Sequence, residues 1–300
     1  MLKIAYHPIY KYSLPEGHRF PMAKYNLLPE YLLKQGICTE ANFFEPEKVS
    51  AAIILKVHTE DYYQKLLTLE LDQKEIRKIG FPLREDLVTR GHYIIGGTIQ
   101  CCEYAMKYGV ALNIAGGTHH AFADRGEAFC LLNDQAIAAQ YLLDSERASK
   151  ILILDLDVHQ GNGTAKIFEN NSHIFTFSLH GANNYPFKKE QSDLDIGLED
   201  TTEDEEYLSV LKNTLPMLLK KVQPDFIFYL SGVDILKGDK LGRLHCTLEG
   251  CKERDRFVFE TCKNHNIPVQ VSMGGGYAPD IGIIIEAHAN TYKAAQEIYF

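Results

Sequence analysis

Three hundred residues, 45% of them hydrophobic, can bury a substantial core in one large or two smaller domains. A formal net charge of −9 excludes broad nucleic-acid binding, which needs a clustered excess of Lys and Arg, and leaves a basic partner electrostatically permitted. The seven cysteines form no Cys-x-x-Cys pair, Met1 to His7 lacks the features of a signal peptide, and no apolar run reaches membrane-spanning length, so a soluble cytoplasmic protein is expected.

In chain order, the first strong pattern is a helix predicted over Glu85 to Lys107, followed by a short apolar strand, Val110 to Ile114. A helix over Asn133 to Glu146 precedes strands at Ile151 to Leu156 and Ile174 to Leu179. The acidic run Glu199 to Glu206 leads into a helix over Glu203 to Lys221, with Thr202 and Glu205 in a capping-box pattern. That run reads as the acidic start of a helix, with a docking patch as the second reading. A strand at Phe226 to Leu230, a helix over Leu248 to Asn264, a strand at Ile267 to Val271 and a helix over Ile281 to Ile298 complete the pattern. Strands alternating with helices predict an α/β fold whose mainly parallel central sheet carries helices on both faces. No repeat, linker or low-complexity segment divides the chain, so residues 1–300 are expected to form one domain.

Polar, glycine-rich segments follow the strands: Gly116-Gly-Thr-His-His-Ala121, Asp155-Leu-Asp-Val-His-Gln-Gly-Asn-Gly163, Leu179-His-Gly181, Ser231-Gly-Val-Asp234 and Gly274-Gly-Gly-Tyr277. In an open parallel sheet the carboxyl ends of the strands share one edge, so these five segments are predicted to converge on one crevice. Asp157, His159 and Asp234 supply one imidazole and two carboxylates, a set able to hold a divalent ion with a position left for water. Alone, each residue reads equally as a loop acceptor or structural histidine; together they point to a metal. His119 and His120 suit proton transfer at neutral pH. Tyr277 could place a phenolic donor where an oxyanion forms, or be a packed aromatic.

Gly-Gly-x-His-His-Ala at 116 to 121, Phe-Cys-Leu-Leu-Asn-Asp at 129 to 134, Asp-Leu-Asp-Val-His-x-Gly-Asn-Gly at 155 to 163 and Gly-Gly-Gly-Tyr at 274 to 277 occur together and in order. In these motifs the sequence resembles the histone deacetylases and their bacterial relatives, from Tyr6 to the C-terminus. The resemblance implies a three-layer, arginase-like α/β fold. It implies a zinc-dependent amidohydrolase that removes an acyl group, most often acetyl, from the side-chain amine of lysine in a protein or peptide. It assigns zinc, with Fe2+ as the alternative ion, to Asp157, His159 and Asp234, the last within Ser-Gly-Val-Asp-x-x-x-Gly-Asp and preferred over Asp239. It also assigns proton handling to His119 and His120, paired with Asp155 and Asn162, and carbonyl polarisation to Tyr277. Gly117, Phe129 and Gly275 would contact substrate. A structural potassium ion is implied near Asp155, Asp157, His159, Ser178 and Leu179, with a second near Phe168 and Ile174.

Departures from the best-known members narrow the expectation. Asn162 stands where many members carry an acid, and an amide cannot neutralise imidazolium, so the adjacent ring should be less readily protonated. Gly80-Phe-Pro-Leu83 lacks an acidic clamp for the peptide backbone, although Glu85 and Asp86 follow. His18-Arg-Phe-Pro-Met22, the Phe-Pro-Leu segment and Asn184-Tyr-Pro186 look most like the class IV branch, which includes enzymes for long fatty acyl groups. A fatty lysine deacylase and a deacetylase of polyamines or other small amines are therefore the alternative activities. A silent acyl-lysine reader and a dimanganese ureohydrolase are the remaining rivals. Gly161 and Gly232 stand where a ureohydrolase would need further carboxylates.

Overall fold

Eight parallel strands form one sheet in the order β2-β1-β3-β8-β7-β4-β5-β6 in the computed structural model, which describes residues 1–300. The strands are β1 (Lys3–Ala5), β2 (Phe43–Phe44), β3 (Val110–Asn113), β4 (Ile151–Asp155), β5 (Ile174–Gly181), β6 (Leu194–Leu198), β7 (Phe226–Leu230) and β8 (Val269–Ser272). The helices are α1 (Lys24–Lys34), α2 (Ala51–Ile54), α3 (Glu60–Leu67), α4 (Gln73–Ile79), α5 (Glu85–Tyr108), α6 (Asp134–Asp144), α7 (Asn162–Phe168), α8 (Asp204–Val222), α9 (Leu248–Asn264) and α10 (Ile281–Tyr299).

The five strands expected from sequence are the five contiguous central ones, β3, β8, β7, β4 and β5. Every residue of β3, β4, β7 and β8 is buried, as a parallel sheet covered on both faces requires. The helices pack in two groups. Helix α5 contacts α6, β1, β3 and β8, while α1, α8, α9 and α10 contact one another in series, giving the three layers of an arginase-like fold. One cluster of 79 buried residues runs through both layers. The edge strands are short or half-exposed, β2 with two residues and β6 with one buried residue in five, which limits edge-to-edge pairing.

Observed elements depart from expectation mainly at their ends. Strand β8 starts two residues late, at Val269, because Pro268 has no N–H for the ladder. The Thr202 capping box does not form: Glu203 is the N-cap of α8 without a side-chain hydrogen bond. Thr202 is instead tied into a turn, its N–H donating to Glu199 and its carbonyl accepting from His245. Of the acidic run, Asp204, Glu205 and Glu206 occupy the first turn of α8, where the helix dipole favours them. All seven cysteines are buried and unpaired. No helix is long and apolar enough to cross a membrane.

Candidate active site

The adjacency of β3, β8, β7, β4 and β5 brings the five polar segments to one sheet edge. Asp155 pairs in register with Ser178 on one side and Leu230 on the other. Two and four residues past the end of β4 come Asp157 and His159, and four past the end of β7 comes Asp234; their ligand atoms lie within 4.8 Å of one another. His159 Nδ1 is 3.0 Å from Asp157 Oδ1 and 3.2 Å from Asp234 Oδ2. Backbone amides fix the carboxylates: Asp157 Oδ2 accepts from Gly275 N at 2.8 Å, Asp157 Oδ1 from His159 N at 3.0 Å, and Asp234 Oδ1 from Val158 N at 3.0 Å.

The remaining oxygen, Asp234 Oδ2, is buried and makes no well-formed hydrogen bond, facing only His159 Nδ1 at 3.2 Å. Leaving a carboxylate oxygen in that state costs free energy unless a cation satisfies it. The protonation balance points the same way. Burial and the charge of Asp157 raise Asp234 to about 7. Burial also penalises a charged His159, yet Asp157 and Asp234 outweigh it and raise the imidazole to about 10. Two adjoining buried carboxylates require positive charge between them, and an Asp, His, Asp donor set fits a divalent ion of the zinc type.

Glycine permits this convergence. A Cβ at Gly275 would collide with Asp234 Oδ2, so the loop after β8 can approach the carboxylates only without a side chain. Gly117 has φ +71°, and a Cβ there would stand 2.9 Å from Gly274 Cα.

The two histidines flank this group with matched geometry and opposite electrostatics. His119 Nδ1 donates to Asp155 Oδ2 and His120 Nδ1 donates to Asn162 Oδ1, each at 2.6 Å, which leaves both Nε2 atoms for chemistry. Their rings lie 4.1 Å apart. Burial disfavours charge on His119, but the Asp155 carboxylate beside it overrides this and raises its pKa. For His120 burial and the neighbouring His119 and His159 charges act together, with only weak opposition from Asn162, and its pKa falls well below normal.

Tyr277 forms part of the wall beside His159, ring to ring at 6.2 Å. Its N–H donates to Asp239 Oδ2 at 2.6 Å, whereas its hydroxyl makes no hydrogen bond within the protein. Burial, then Asp234 and Asp157, keep the phenol protonated. Asp239 is occupied by the amides of Leu241, Gly242 and Tyr277, which makes it a brace for the Tyr277 loop.

Phe129 stands across from Tyr277, ring centroids 6.0 Å apart, with Phe20 and Phe81 behind it at 5.1 and 5.3 Å. Ala128 and Phe129 adopt positive φ, 43° and 68°, a conformation that L side chains rarely hold without support. Support comes from the end of α4, whose Lys78 and Ile79 carbonyls accept from Ala128 N and Phe129 N at 2.8 and 2.6 Å. The rest of that motif is architectural. Asn133 caps α6 and donates to Ala121 and Thr164. Asp134 accepts from Thr98, Thr118 and Ser272, anchoring the loop that carries His119 and His120.

Several buried residues around the site had no sequence signal. Lys24, on α1 and fully buried, donates from Nζ to Gly274 O at 3.0 Å; burial lowers it to about 8 against the pull of Asp234, Asp157 and Asp239. Arg254, paired with Asp255 at 2.9 Å, donates to the carbonyls of Gly232 and Leu156 just before the metal-ligand loops. A lysine or arginine on an amphipathic helix reads as surface, and only the tertiary fold reveals otherwise. The expected potassium residues divide by location. Ser178 and Leu179 lie beside Asp155 in the sheet, with Ser178 Oγ 3.0 Å from His180 Nδ1. Phe168 and Ile174 lie at the end of α7 and the start of β5, away from the catalytic edge.

A family model described as the histone deacetylase domain matches residues 18–291. The chain is 42% identical over 99% of both lengths to an uncharacterised protein of Picosynechococcus sp.. It is 30% identical to histone deacetylase 2 of Arabidopsis thaliana, covering 87% of this chain and 70% of that one. It is 28% identical to the acetoin utilization protein AcuC of Staphylococcus aureus, covering 89% and 74%. Among solved structures, an HDAC homolog complexed with SAHA superposes with a TM-score of 0.87 at 25% identity, covering 99% of this chain and 84% of that one. A homolog from Aquifex aeolicus superposes at 0.83, with 24% identity and coverage of 98% and 84%. The motifs, the shared fold and the domain match along nearly the whole chain make this protein a member of the histone deacetylase family, a family of deacetylase hydrolases.

Proposed function

We propose that residues 1–300 act as one cytoplasmic catalytic domain, a zinc-dependent lysine deacylase that removes acetyl groups. The observation that carries this reading is the meeting of Asp157, His159 and Asp234 with two hydrogen-bonded histidine pairs at the base of an aromatic-walled channel.

Phe129 and Tyr277 flank the acylated side chain, and Gly117 and Gly275 let it approach the backbone. Asp157, His159 and Asp234 would hold a divalent ion, which would supply Lewis-acid polarisation of the acyl carbonyl and lower the pKa of water. His120, kept neutral by burial and its cationic neighbours, takes the proton from the attacking water at Nε2. His119, whose pKa Asp155 raises against burial, gives its Nε2 proton to the departing amine. Tyr277 donates its unengaged hydroxyl to the oxyanion. Potassium beside Asp155, Ser178 and Leu179 would have a structural role.

Acetyl is favoured by the size of the cavity at the catalytic floor. Lined by Phe20, Tyr25, Arg90, His119 and Gly274, it measures about 40 Å³, a volume better matched to an acetyl group than to a long acyl chain. The ureohydrolase reading loses its second ion. A side chain at Gly161 would run into Asp155 Oδ2, and one at Gly232 into Asp157 Oδ2.

The test is metal content together with kcat/KM on matched acetyl-lysine, myristoyl-lysine and acetylated polyamine substrates. The expected result is one zinc per chain, preferential turnover of acetyl-lysine, and loss of both metal and activity in Asp234→Ala. Tight binding of acyl-lysine without turnover, or release of urea from arginine or agmatine, would overturn the reading.

A further inference from the structure

The channel opens into a cavity of about 520 Å³ whose charged rim consists of Arg19, Lys78, Lys240, Arg243 and one acid, Glu127. On a chain with 40 acidic and 31 basic side chains, a rim of four cations to one anion is a local reversal of sign. The anion is already engaged: Glu127 Oε1 accepts from Arg125 at 3.0 Å and Oε2 from the Tyr185 hydroxyl at 2.7 Å. Of the cations, only Arg243 has a carboxylate partner, Asp200 at 3.0 Å. Arg19, Lys78 and Lys240 have no acidic side chain within ion-pair distance and are exposed.

Their placement ties them to the opening. The Arg19 guanidinium lies over the Phe129 ring, 5.0 Å from its centroid. The backbone of Lys78 holds Ala128, so its side chain stands at the foot of the same wall. Lys240 and Arg243 belong to the loop between β7 and α9, and this loop carries the Asp239 brace for Tyr277. The helix dipole accounts for a cation at Lys78, in the last turn of α4. It does not account for the other three, which lie on loops. Phe187, 86% exposed, adds an apolar surface on the Tyr185 side of the same cavity.

We infer that this mouth selects acyl-lysines flanked by acidic residues, whose carboxylates meet Arg19, Lys78 and Lys240 while the acylated side chain enters between Phe129 and Tyr277. The inference rests on the deacylase reading and refines it. Like-signed substrates, acetylated polyamines and lysine-rich tails, are repelled at the same rim. A cleft lined by one sign of charge concentrates opposite charge and raises association rates by roughly 10- to 10³-fold at low salt.

Three acetyl-lysine peptides differing only in the two residues on either side of the modified lysine (Asp, Gly or Lys) test this on the metal-loaded enzyme. The kcat/KM order should be Asp over Gly over Lys, with about tenfold or more between the extremes at low ionic strength. The gap should shrink as salt shortens the screening length. In Lys78→Glu/Lys240→Glu the Asp-to-Lys ratio should fall and invert. Equal kcat/KM for the three peptides, preference for the Lys-flanked peptide, or a ratio unmoved by salt and by the double substitution would overturn the inference while leaving the deacylase reading standing. Failure to turn over any of the three removes the deacylase reading and the inference with it.

Discussion

The floor and the mouth of the channel are built on opposite principles. At the floor His119, His120, Asp155, Asp157, His159 and Asp234 are all buried, each tied by a short hydrogen bond or an ion pair, and glycines remove every side chain that would disturb them. At the mouth Arg19, Lys78, Lys240 and Phe187 are exposed and largely unpartnered. The floor fixes which bond is broken, because low dielectric and fixed dipoles hold proton positions and charge. The mouth acts at longer range and in water, so it can bias which acyl-lysine arrives without altering the chemistry. Substitutions at the floor should therefore change kcat and pH dependence, and those at the mouth should change the ranking of substrates.

The largest effect tests the floor. Tyr277→Phe keeps the ring that packs near Phe129 and His159 and deletes a hydroxyl with no hydrogen-bond partner in the protein. Folding has little to lose, so melting temperature and metal content should stay close to wild type. Turnover should fall about 10²- to 10³-fold, about 2.7 to 4 kcal/mol of transition-state stabilisation. Lower melting temperature with near-normal kcat would make Tyr277 a packing residue.

A smaller effect separates the two histidines. His119 and His120 have equal hydrogen-bond lengths to partners that differ in charge. Asn162→Asp should erase that difference. A carboxylate favours imidazolium, so the pKa of His120 rises and the acidic limb of the kcat/KM profile moves to higher pH. Activity on the acid side should drop by about tenfold and recover as pH rises. A limb that stays in place would remove His120 as the base.

Chain-local chemistry made much of this legible in sequence. The five central strands announce themselves as apolar runs, and His119, His120, Asp157 and Tyr277 sit in compact motifs directly after three of them. Strands β1 and β2 did not register, because two or three residues carry no periodicity. Lys24 and Arg254 were invisible for a different reason. Their roles arise from burial by helices that pack from elsewhere in the chain, and in isolation each is one more cation on an amphipathic helix. Asp239 was seen and set aside as a ligand, and only the fold shows it bracing Tyr277. The sign of the mouth was hidden by the overall charge of −9, since Arg19, Lys78, Lys240 and Arg243 come from three separate segments.

The smallest effect on turnover is expected at a histidine that shares the burial of the floor and none of its chemistry. His58 is 2% exposed; its Nδ1 donates to Ala123 O at 3.3 Å and its Nε2 accepts from Asn133 N at 3.0 Å. Both nitrogens are committed to the neutral ring, and burial lowers its pKa to about 4 despite the backbone acceptors. No carboxylate reaches it as Asp155 reaches His119, so burial without an anionic partner yields a scaffold histidine. Below pH 6.5 the unfolded chain binds a proton at this position, while the native state does not until about pH 4. The unfolded state therefore binds more protons in that window, and native stability is lost as pH falls through it. The shift corresponds to about 3 kcal/mol across the window. His58→Gln retains an acceptor for Asn133 N and cannot titrate, so its unfolding free energy, measured by urea titration at pH 7.5 and 4.5, should fall less than that of the wild type. Parallel losses in the two proteins would mean that His58 titrates alike in both states, and that burial is not what separates it from the catalytic pair.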